Sequence, residues 1–265
     1  MPLEPFNLGL RMAGGFDSDA LTAFAAVESA GGSLTGAQKA AVNTFILGLK
    51  LNSLWTSFVG LYLFVGGTSA SHAVNAKSPG TYDITWVNSP THDSNGVTGN
   101  GTTAYGQTGA LASTVCPQNS AHISVYSRTA APTASGRLIA ATSTSGGTRR
   151  LDIYSNGGAG NALGINDNTQ IGGLTLDKFL LASRDSSSTR HYRRDTATAN
   201  DATASIGGVG VNLLILARSY QGFPNDSFSN ANLAFASFGG GFSIAQSLTL
   251  NTLMTTLQTA LGRNV

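Results

Sequence analysis

The chain has 265 residues, of which only 11% are charged, and its formal net charge is +2. So small a charge argues against a nucleic-acid partner, and no run approaches the length of about 18 apolar residues that a membrane span requires. The hydrophobic fraction of 41% excludes a disordered chain, and the 33 glycines, with abundant Ser, Thr and Asn, are typical of a mainly β protein with many tight turns.

Residues 1–16 are predicted to form an extended arm. Glu4 interrupts the apolar residues, so a signal peptide is not expected, and the protein is predicted to be synthesised in a cytoplasm and to remain soluble. Because such an arm cannot form a core of its own, we expect it to pack on a neighbouring subunit or on its own domain. Five apolar side chains are available for this contact: Leu3, Phe6, Leu8, Leu10 and Met12.

Two helices are predicted in residues 17–53. Asp17 or Ser18 is the expected N-cap of the first helix, and Thr35 is the expected N-cap of the second, which covers Ala37–Leu51. Each helix carries apolar residues at helical spacing along one face, so each needs a surface to pack against.

From residue 54 to residue 242 the pattern changes to short apolar runs separated by turn residues, which predicts a β-sandwich. The last two runs are predicted to pair as buried strands, with an exposed polar loop between them. The predicted strands are Leu61–Val65, Asp83–Val87, one from Ala104 onward, His122–Arg128, Arg137–Thr142, Arg149–Tyr154, Ala162–Ile165, Lys178–Arg184, Arg190–Arg194, Leu213–Ala217 and Leu233–Phe238.

A third helix is predicted in the final segment, residues 243–265. Ser243 is its expected N-cap, Ile244–Leu261 is amphipathic, and Gly262 ends the helix. Its apolar stripe matches that of Ala37–Leu51. We therefore expect the N-terminal and C-terminal helices to pack together beside the sandwich.

Two smaller features carry predictions about burial. Arg190, Arg193 and Arg194 form the densest basic cluster, and we interpret it as a solvated strand or hairpin edge, where charge prevents edge-to-edge pairing. Cys116 is the single cysteine, so no intrachain disulfide is possible, and its apolar flanks predict a small buried residue.

The segment Ala41–Pro79 resembles a region that recurs in structural proteins of tailed bacteriophages. The turn Gly99–Tyr105, the strand His122–Arg128 and the segment Asn230–Ser243 with its following helix continue the resemblance, which covers about residues 36–265. The residues that carry it in the first segment are Asn43, Leu49, Lys50, Leu54-Trp55, Tyr62, Phe64-Val65-Gly66-Gly67, His72, Asn75, Lys77 and Pro79.

Phage proteins of this kind carry a concanavalin A-like, laminin-G-like jelly-roll domain. The resemblance therefore implies a mainly β chain, a jelly-roll β-sandwich with N-terminal helices and a C-terminal helix packed beside it. It also implies a fibre, spike or decoration protein on the virion surface, bound to other virion proteins through its arm. Phage fibres are commonly trimeric, so the resemblance implies a homo-oligomer. It implies no sugar specificity.

The same fold hosts glycoside hydrolases, which need a pair of carboxylates at the scissile bond. The chain has only two glutamates, Glu4 and Glu28, and both precede the predicted β region. No predicted strand presents paired acids, and no Gly-x-Ser-x-Gly nucleophile motif is present. The sequence therefore predicts that the chain is not an enzyme.

No cofactor is expected, with calcium as the alternative. Calcium prefers six to eight oxygen ligands, including carboxylates, and the oxygen-rich loops of this sequence offer one aspartate each. A calcium site would therefore draw on two loops, and Asp167 and Asp226 are the better candidates.

The polar segment between the last two predicted strands contains the aromatic and amide groups that carbohydrate binding requires. Its candidate residues are Tyr220, Gln221, Phe223, Asn225, Asp226 and Phe228. As an alternative, Phe223 and Phe228 only hold the loop against the domain. Two functions stay open: a lectin-like sandwich that binds host-surface polysaccharide, and a purely architectural virion subunit that makes only protein–protein contacts.

Overall fold

The computed structural model describes residues 15–130, 132–143, 149–155, 162–173 and 175–265. Residues 1–14 of the predicted arm lie outside the described residues. The assembly role of Leu3, Phe6, Leu8, Leu10 and Met12 therefore stays a prediction.

The described part of the chain contains five α-helices and sixteen strands. In chain order they are α1 (Ser18–Ser29), α2 (Gly36–Leu51), β1 (Phe58–Tyr62), α3 (Ser69–Ala73), β2 (Thr85–Val87), β3 (Thr91–Asp93), β4 (Gly96–Thr98), β5 (Tyr105–Leu111), α4 (Ala112–Val115), β6 (Ala121–Ser127), β7 (Arg137–Ser143), β8 (Arg149–Tyr154), β9 (Ala162–Asp167), β10 (Lys178–Arg184), β11 (Arg190–Arg194), β12 (Ala197–Asp201), β13 (Asn212–Ile215), β14 (Arg218–Tyr220), β15 (Phe223–Asp226), β16 (Asn232–Gly239) and α5 (Ile244–Ala260). None of these helices is long and apolar enough to cross a membrane.

The three long helices begin at predicted caps. Asp17 is the N-cap of α1, and its carboxylate accepts a hydrogen bond from a main-chain N–H of the first turn. Thr35 and Ser243 each form a capping box. The hydroxyl of the cap accepts a hydrogen bond from the N–H of the third helical residue, which is Gln38 in α2 and Gln246 in α5. The side chain of that glutamine accepts a hydrogen bond from the N–H of the cap. Local sequence thus determines where the helices start.

The strands form two large sheets that face each other as a sandwich. Sheet A has the order β12-β11-β10-β6-β16-β4-β3, with β1 also paired to β16. Sheet B has the order β15-β14-β7-β13-β5-β2, with β8 on the other side of β7 and β9 beyond β8. All pairs are antiparallel except that of β14 with β7. This confirms the predicted mainly β sandwich and is consistent with a jelly roll.

The prediction that the last two apolar runs pair with each other is wrong. β13 lies in sheet B between β5 and β7, whereas β16 lies in sheet A between β6 and the strands β1 and β4. Leu213 and Ile215 of β13 share one core cluster with Leu233 and Phe238 of β16. The two runs therefore meet through side chains across the core, and a buried apolar run is equally suited to either arrangement.

The central strands of sheet A, β6, β10 and β16, are buried on both faces. One face contributes to the core between the sheets, and the other contributes Tyr126, Phe179 and Phe235 to a second core beneath the helices. There α2 packs against α5, with Leu253 lying against Gly48. The predicted packing of the N-terminal and C-terminal helices beside the sandwich is confirmed.

The predicted solvated edge at the basic cluster is wrong. β11 is not the edge of sheet A because β12 pairs with its outer side. Arg190 and Arg193 are buried, and only Arg194 is partly exposed, paired with Asp177 at 2.6 Å. Cys116, in contrast, is fully buried as predicted, and burial raises the pKa of its thiol to about 12.

Candidate functional site

The segment predicted as a polar loop is a hairpin of sheet B, formed by β14 and β15. Tyr220 pairs with Phe223 across the two-residue turn, in which Gly222 has a left-handed φ of 80°. The two aromatic rings stack, with centroids 4.7 Å apart and planes 17° apart. Phe223 is 59% exposed, so the pair presents a flat aromatic surface to solvent.

A charged pair lies beside this aromatic surface. Arg218 Nε and Nη2 donate to the two carboxylate oxygens of Asp226 at 2.7 and 2.6 Å, and the guanidinium stands 4.5 Å from the centre of the Tyr220 ring. The hydrogen bond to Asp226 raises the pKa of Arg218. Burial acts to raise the pKa of Asp226, but the hydrogen bonds from Arg218 outweigh it and the pKa is lowered. Both groups therefore stay ionised at neutral pH.

The remaining predicted residues divide into two groups. Gln221 accepts a hydrogen bond from the Ser143 hydroxyl at the turn, next to the aromatic surface. Asn225 donates to the hydroxyl of Tyr105 at 3.2 Å, and the ring of Phe228 lies 5.9 Å from the Tyr105 ring. Asn225 and Phe228 thus hold the hairpin against β5. The exposed Phe223 has no such role.

A second set of polar residues, most of which the sequence analysis missed, lies on the neighbouring strands of sheet B. Asp152 on β8 is fully buried and lies 3.4 Å from Arg137 Nε and 3.6 Å from Arg150 Nη1. The Arg137 guanidinium stacks 4.0 Å above the ring of Tyr154, and Tyr154 donates to Gln170 at 3.0 Å. The available signal was the alternation along β8, where Arg150, Asp152 and Tyr154 share one face.

The two calcium candidates lie in different parts of the fold. Asp167 is fully buried, 2.5 Å from Arg190 and 3.3 Å from Arg184, whereas Asp226 is paired with Arg218. Burial raises the pKa of Asp167 despite the opposing effect of Arg190. No group of three or more His, Cys, Asp or Glu that could hold a metal ion occurs within the described ranges.

No family model matches the chain, and no curated protein matches it. One solved structure with a similar fold is a mutant of Trypanosoma rangeli sialidase displaying trans-sialidase activity, with 10% sequence identity and a TM-score of 0.44. The match covers 83% of this chain and 39% of the sialidase chain, so this chain spans well under half the length of that structure.

This comparison contradicts the prediction that the chain is not an enzyme, because the matched protein has an enzymatic activity. The prediction is withdrawn. A likeness at this level of identity and overlap does not assign a substrate or a reaction to this chain.

Proposed function

We propose that this chain is a virion surface protein of a tailed bacteriophage whose sandwich binds host-surface glycans through the β14–β15 hairpin. The observation that carries the proposal is the stacking of the exposed Phe223 on the half-buried Tyr220, beside the ionised Arg218 and Asp226. Sugar rings present a C–H face that packs on aromatic rings and hydroxyl groups that need polar partners.

The aromatic pair contributes little to the core. Large aromatic side chains bury most of their surface in folded proteins, yet Phe223 is mostly exposed while the rings on the inner side of the hairpin pack normally. An exposed, ordered aromatic surface is typical of a binding site. The Arg218–Asp226 pair supplies donors and acceptors at its border, and the Gln221 amide lies at the adjacent turn.

The position of the hairpin suits display on a particle. The helices cover the outer face of sheet A, whereas the hairpin belongs to sheet B on the other side of the sandwich. Attachment through the N-terminal arm and helices would leave the hairpin free to meet a host surface. The phage setting rests on the resemblance of Ala41–Pro79.

A glycan array, followed by titration with any saccharide that binds, tests the ligand. We expect Phe223→Ala to weaken binding about tenfold, since about 1.4 kcal/mol corresponds to a factor of ten. Leu111→Ala, which removes another exposed apolar side chain of sheet B, is the matched control and should bind as the unchanged protein does. Equal binding by the two variants would reject the hairpin as the site. Absence of the chain from purified particles would reject the virion setting.

A second candidate function is purely architectural. An apolar groove of about 340 Å³ runs between α2 and α5, and its lining includes Ala41, Phe45, Leu253 and Leu257. Its occupant in this proposal is the apolar arm, residues 1–16, of a neighbouring copy. This function predicts no saccharide binding above background on the array. It also predicts that deletion of residues 1–16 abolishes incorporation while the sandwich stays folded.

A further inference from the structure

A separate cleft lies at the N-terminal end of α5, on the side of sheet A. It has a volume of about 390 Å³, within the range of about 300–1,000 Å³ that is usual for small-molecule sites. Strands β11 and β12 form one wall, and the first turn of α5 forms the other. The residues that line it are Asp185, Thr189, Arg190, His191, Asn200, Ser243, Ile244 and Ala245.

His191 is a buried residue of this cleft, and one of its two ring nitrogens is unpaired within the described part of the chain. Its side chain lies on β11 between Ser183 on β10 and Asn200 on β12, and the residue is only 3% exposed. Its Nε2 atom has no hydrogen-bond partner among the residues that the structure describes. A buried polar atom without a partner is unfavourable, so a ligand that pairs with Nε2 would remove this unfavourable contribution.

Arg193 adds a positive charge beneath the same helix end. It is 2% exposed, and it donates to the Ser247 hydroxyl at 2.9 Å and to the Ile244 carbonyl at 3.3 Å. No carboxylate of the described chain lies within ion-pair distance of it, whereas the neighbouring Arg190 has both Asp167 and Asp201. The charge of Arg193 is therefore not neutralised by an acidic side chain.

The first turn of α5 reinforces this positive potential. The Ser243 hydroxyl accepts the N–H of Gln246, and the N–H groups of Ile244 and Ala245 make no hydrogen bond within the described chain. The partial positive charge of the helix N-terminus and these N–H groups favour an anion. Asp185 is the one acidic side chain of the lining, and it is exposed.

We propose that this cleft binds the carboxylate of an acidic sugar residue. The carboxylate receives hydrogen bonds from the N–H groups of Ile244 and Ala245 and from His191 Nε2, while Asp185 and Asn200 bind the ring hydroxyls. The site itself is distinct from the hairpin, because it lies on the other sheet. The choice of a sugar as the source of the carboxylate rests on the proposed glycan-binding function.

Two substitutions of Ile244 distinguish the contribution of its main-chain N–H group from that of its side chain. Ile244→Pro removes the N–H and is compatible with the first helical position, where proline is favoured. Ser243 has φ −70° and ψ 168°, an extended conformation that suits a residue before proline. Ile244→Ala is the matched control, because it removes the same side chain and keeps the N–H.

The experiment titrates the full chain with glucuronate, glucose and inorganic phosphate, and follows binding by calorimetry and by the NMR signals of His191. We expect glucuronate to bind and glucose not to bind. We also expect Ile244→Pro to weaken glucuronate binding about tenfold relative to Ile244→Ala, because a hydrogen bond to a charged group is lost.

Any of four results would overturn the proposal. Equal binding of glucuronate and glucose would exclude a carboxylate site, and equal affinity of Ile244→Pro and Ile244→Ala would exclude the helix end. Phosphate binding as tight as that of glucuronate would exclude an acidic sugar as the specific ligand. Phe223→Ala distinguishes the two sites: it should leave glucuronate binding at α5 unchanged, and loss of that binding would assign the acidic sugar to the hairpin.

Discussion

The Arg263 guanidinium donates a 2.7 Å hydrogen bond to the carbonyl oxygen of Phe64, 199 residues earlier in the chain. Phe64 has a φ of 46°, in the left-handed region that non-glycine residues rarely adopt. The same guanidinium also donates to the carbonyls of Leu63 and Ala234 and to the side chain of Gln258. Arg263 therefore joins the segment after α5 to the strained residue after β1 and to β16.

Substitution of Arg263 tests this connection. We expect Arg263→Ala to lower the free energy of unfolding by about 3 kcal/mol, because several buried carbonyls lose their donor at once. Urea denaturation followed by circular dichroism measures the change. Arg194→Ala, which removes a partly exposed arginine of the pair with Asp177, is the control and should cost about 0–1 kcal/mol. Equal effects of the two variants would contradict the structural role of Arg263.

Two buried histidines predict acid sensitivity. Burial lowers the pKa of His72 to about 3 and that of His122 to about 4, below the ordinary value of 6.5. Between pH 6.5 and 4 the unfolded chain therefore binds protons that the folded chain does not bind. As pH falls through this range, the free energy of unfolding decreases by about 1.4 kcal/mol per pH unit for each histidine.

Urea denaturation at several pH values measures this slope, and the variant His122→Gln should reduce it. Both ring nitrogens of His122 have partners, the Gly240 carbonyl at 2.6 Å and the Ser237 hydroxyl at 3.1 Å, so the variant also loses stability at neutral pH. The lowered pKa values of Asp201 and Asp226 affect stability mainly below their ordinary value of 3.8, whereas the raised pKa of Asp167 acts above it and partly offsets the loss from the histidines. A flat profile between pH 6.5 and 4 would contradict the prediction.

The buried carboxylate of Asp167 predicts a large effect of charge removal. It lies within ion-pair distance of Arg184 and Arg190, both buried, so Asp167→Asn leaves positive charge in the interior. We expect a loss of about 3–5 kcal/mol in the free energy of unfolding. Asp177→Asn at the partly exposed pair with Arg194 is the control, with an expected loss of about 1 kcal/mol or less. Thermal and urea unfolding compare the two.

The turn of the hairpin depends on one glycine. Gly222 has a φ of 80° and no atom near the position of an added Cβ, so Gly222→Ala introduces backbone strain without a steric clash. We expect it to cost about 1 kcal/mol and to disturb the stacking of Tyr220 on Phe223. Gly210→Ala, also in open space but without a left-handed φ, is the control and should be neutral. Unfolding free energies and saccharide titration provide the two measurements.

Local sequence determined much of the secondary structure. The caps Asp17, Thr35 and Ser243 place the starts of the long helices, and most strands were predicted within a few residues. These features depend on neighbouring residues, such as a hydroxyl and the N–H three positions later. The apolar stripes of α2 and α5 were also sufficient to predict that the two helices pack together.

The hairpin was predicted only in part. The sequence identified Tyr220, Phe223 and Asp226 as candidate binding residues, but it indicated a loop because β14 and β15 are short and contain turn-forming residues. Their pairing is decided by contact with β7, more than 70 residues earlier. The role of Phe228 as an inner contact likewise depends on Tyr105, which no local pattern connects to it.

Tertiary structure alone decided which strands are neighbours and which charges are buried. An apolar run such as Leu213–Ala217 could form a buried strand in either sheet, so its strand partners are determined by the packing of the whole sandwich. The sequence predicted that the arginines of β11 lie at an exposed edge. In the structure β12 pairs with the outer side of β11, and α5 packs over Arg193. Burial of Arg193 beneath a helix N-terminus depends on segments about 50 residues apart, and it is this juxtaposition that creates the proposed carboxylate site.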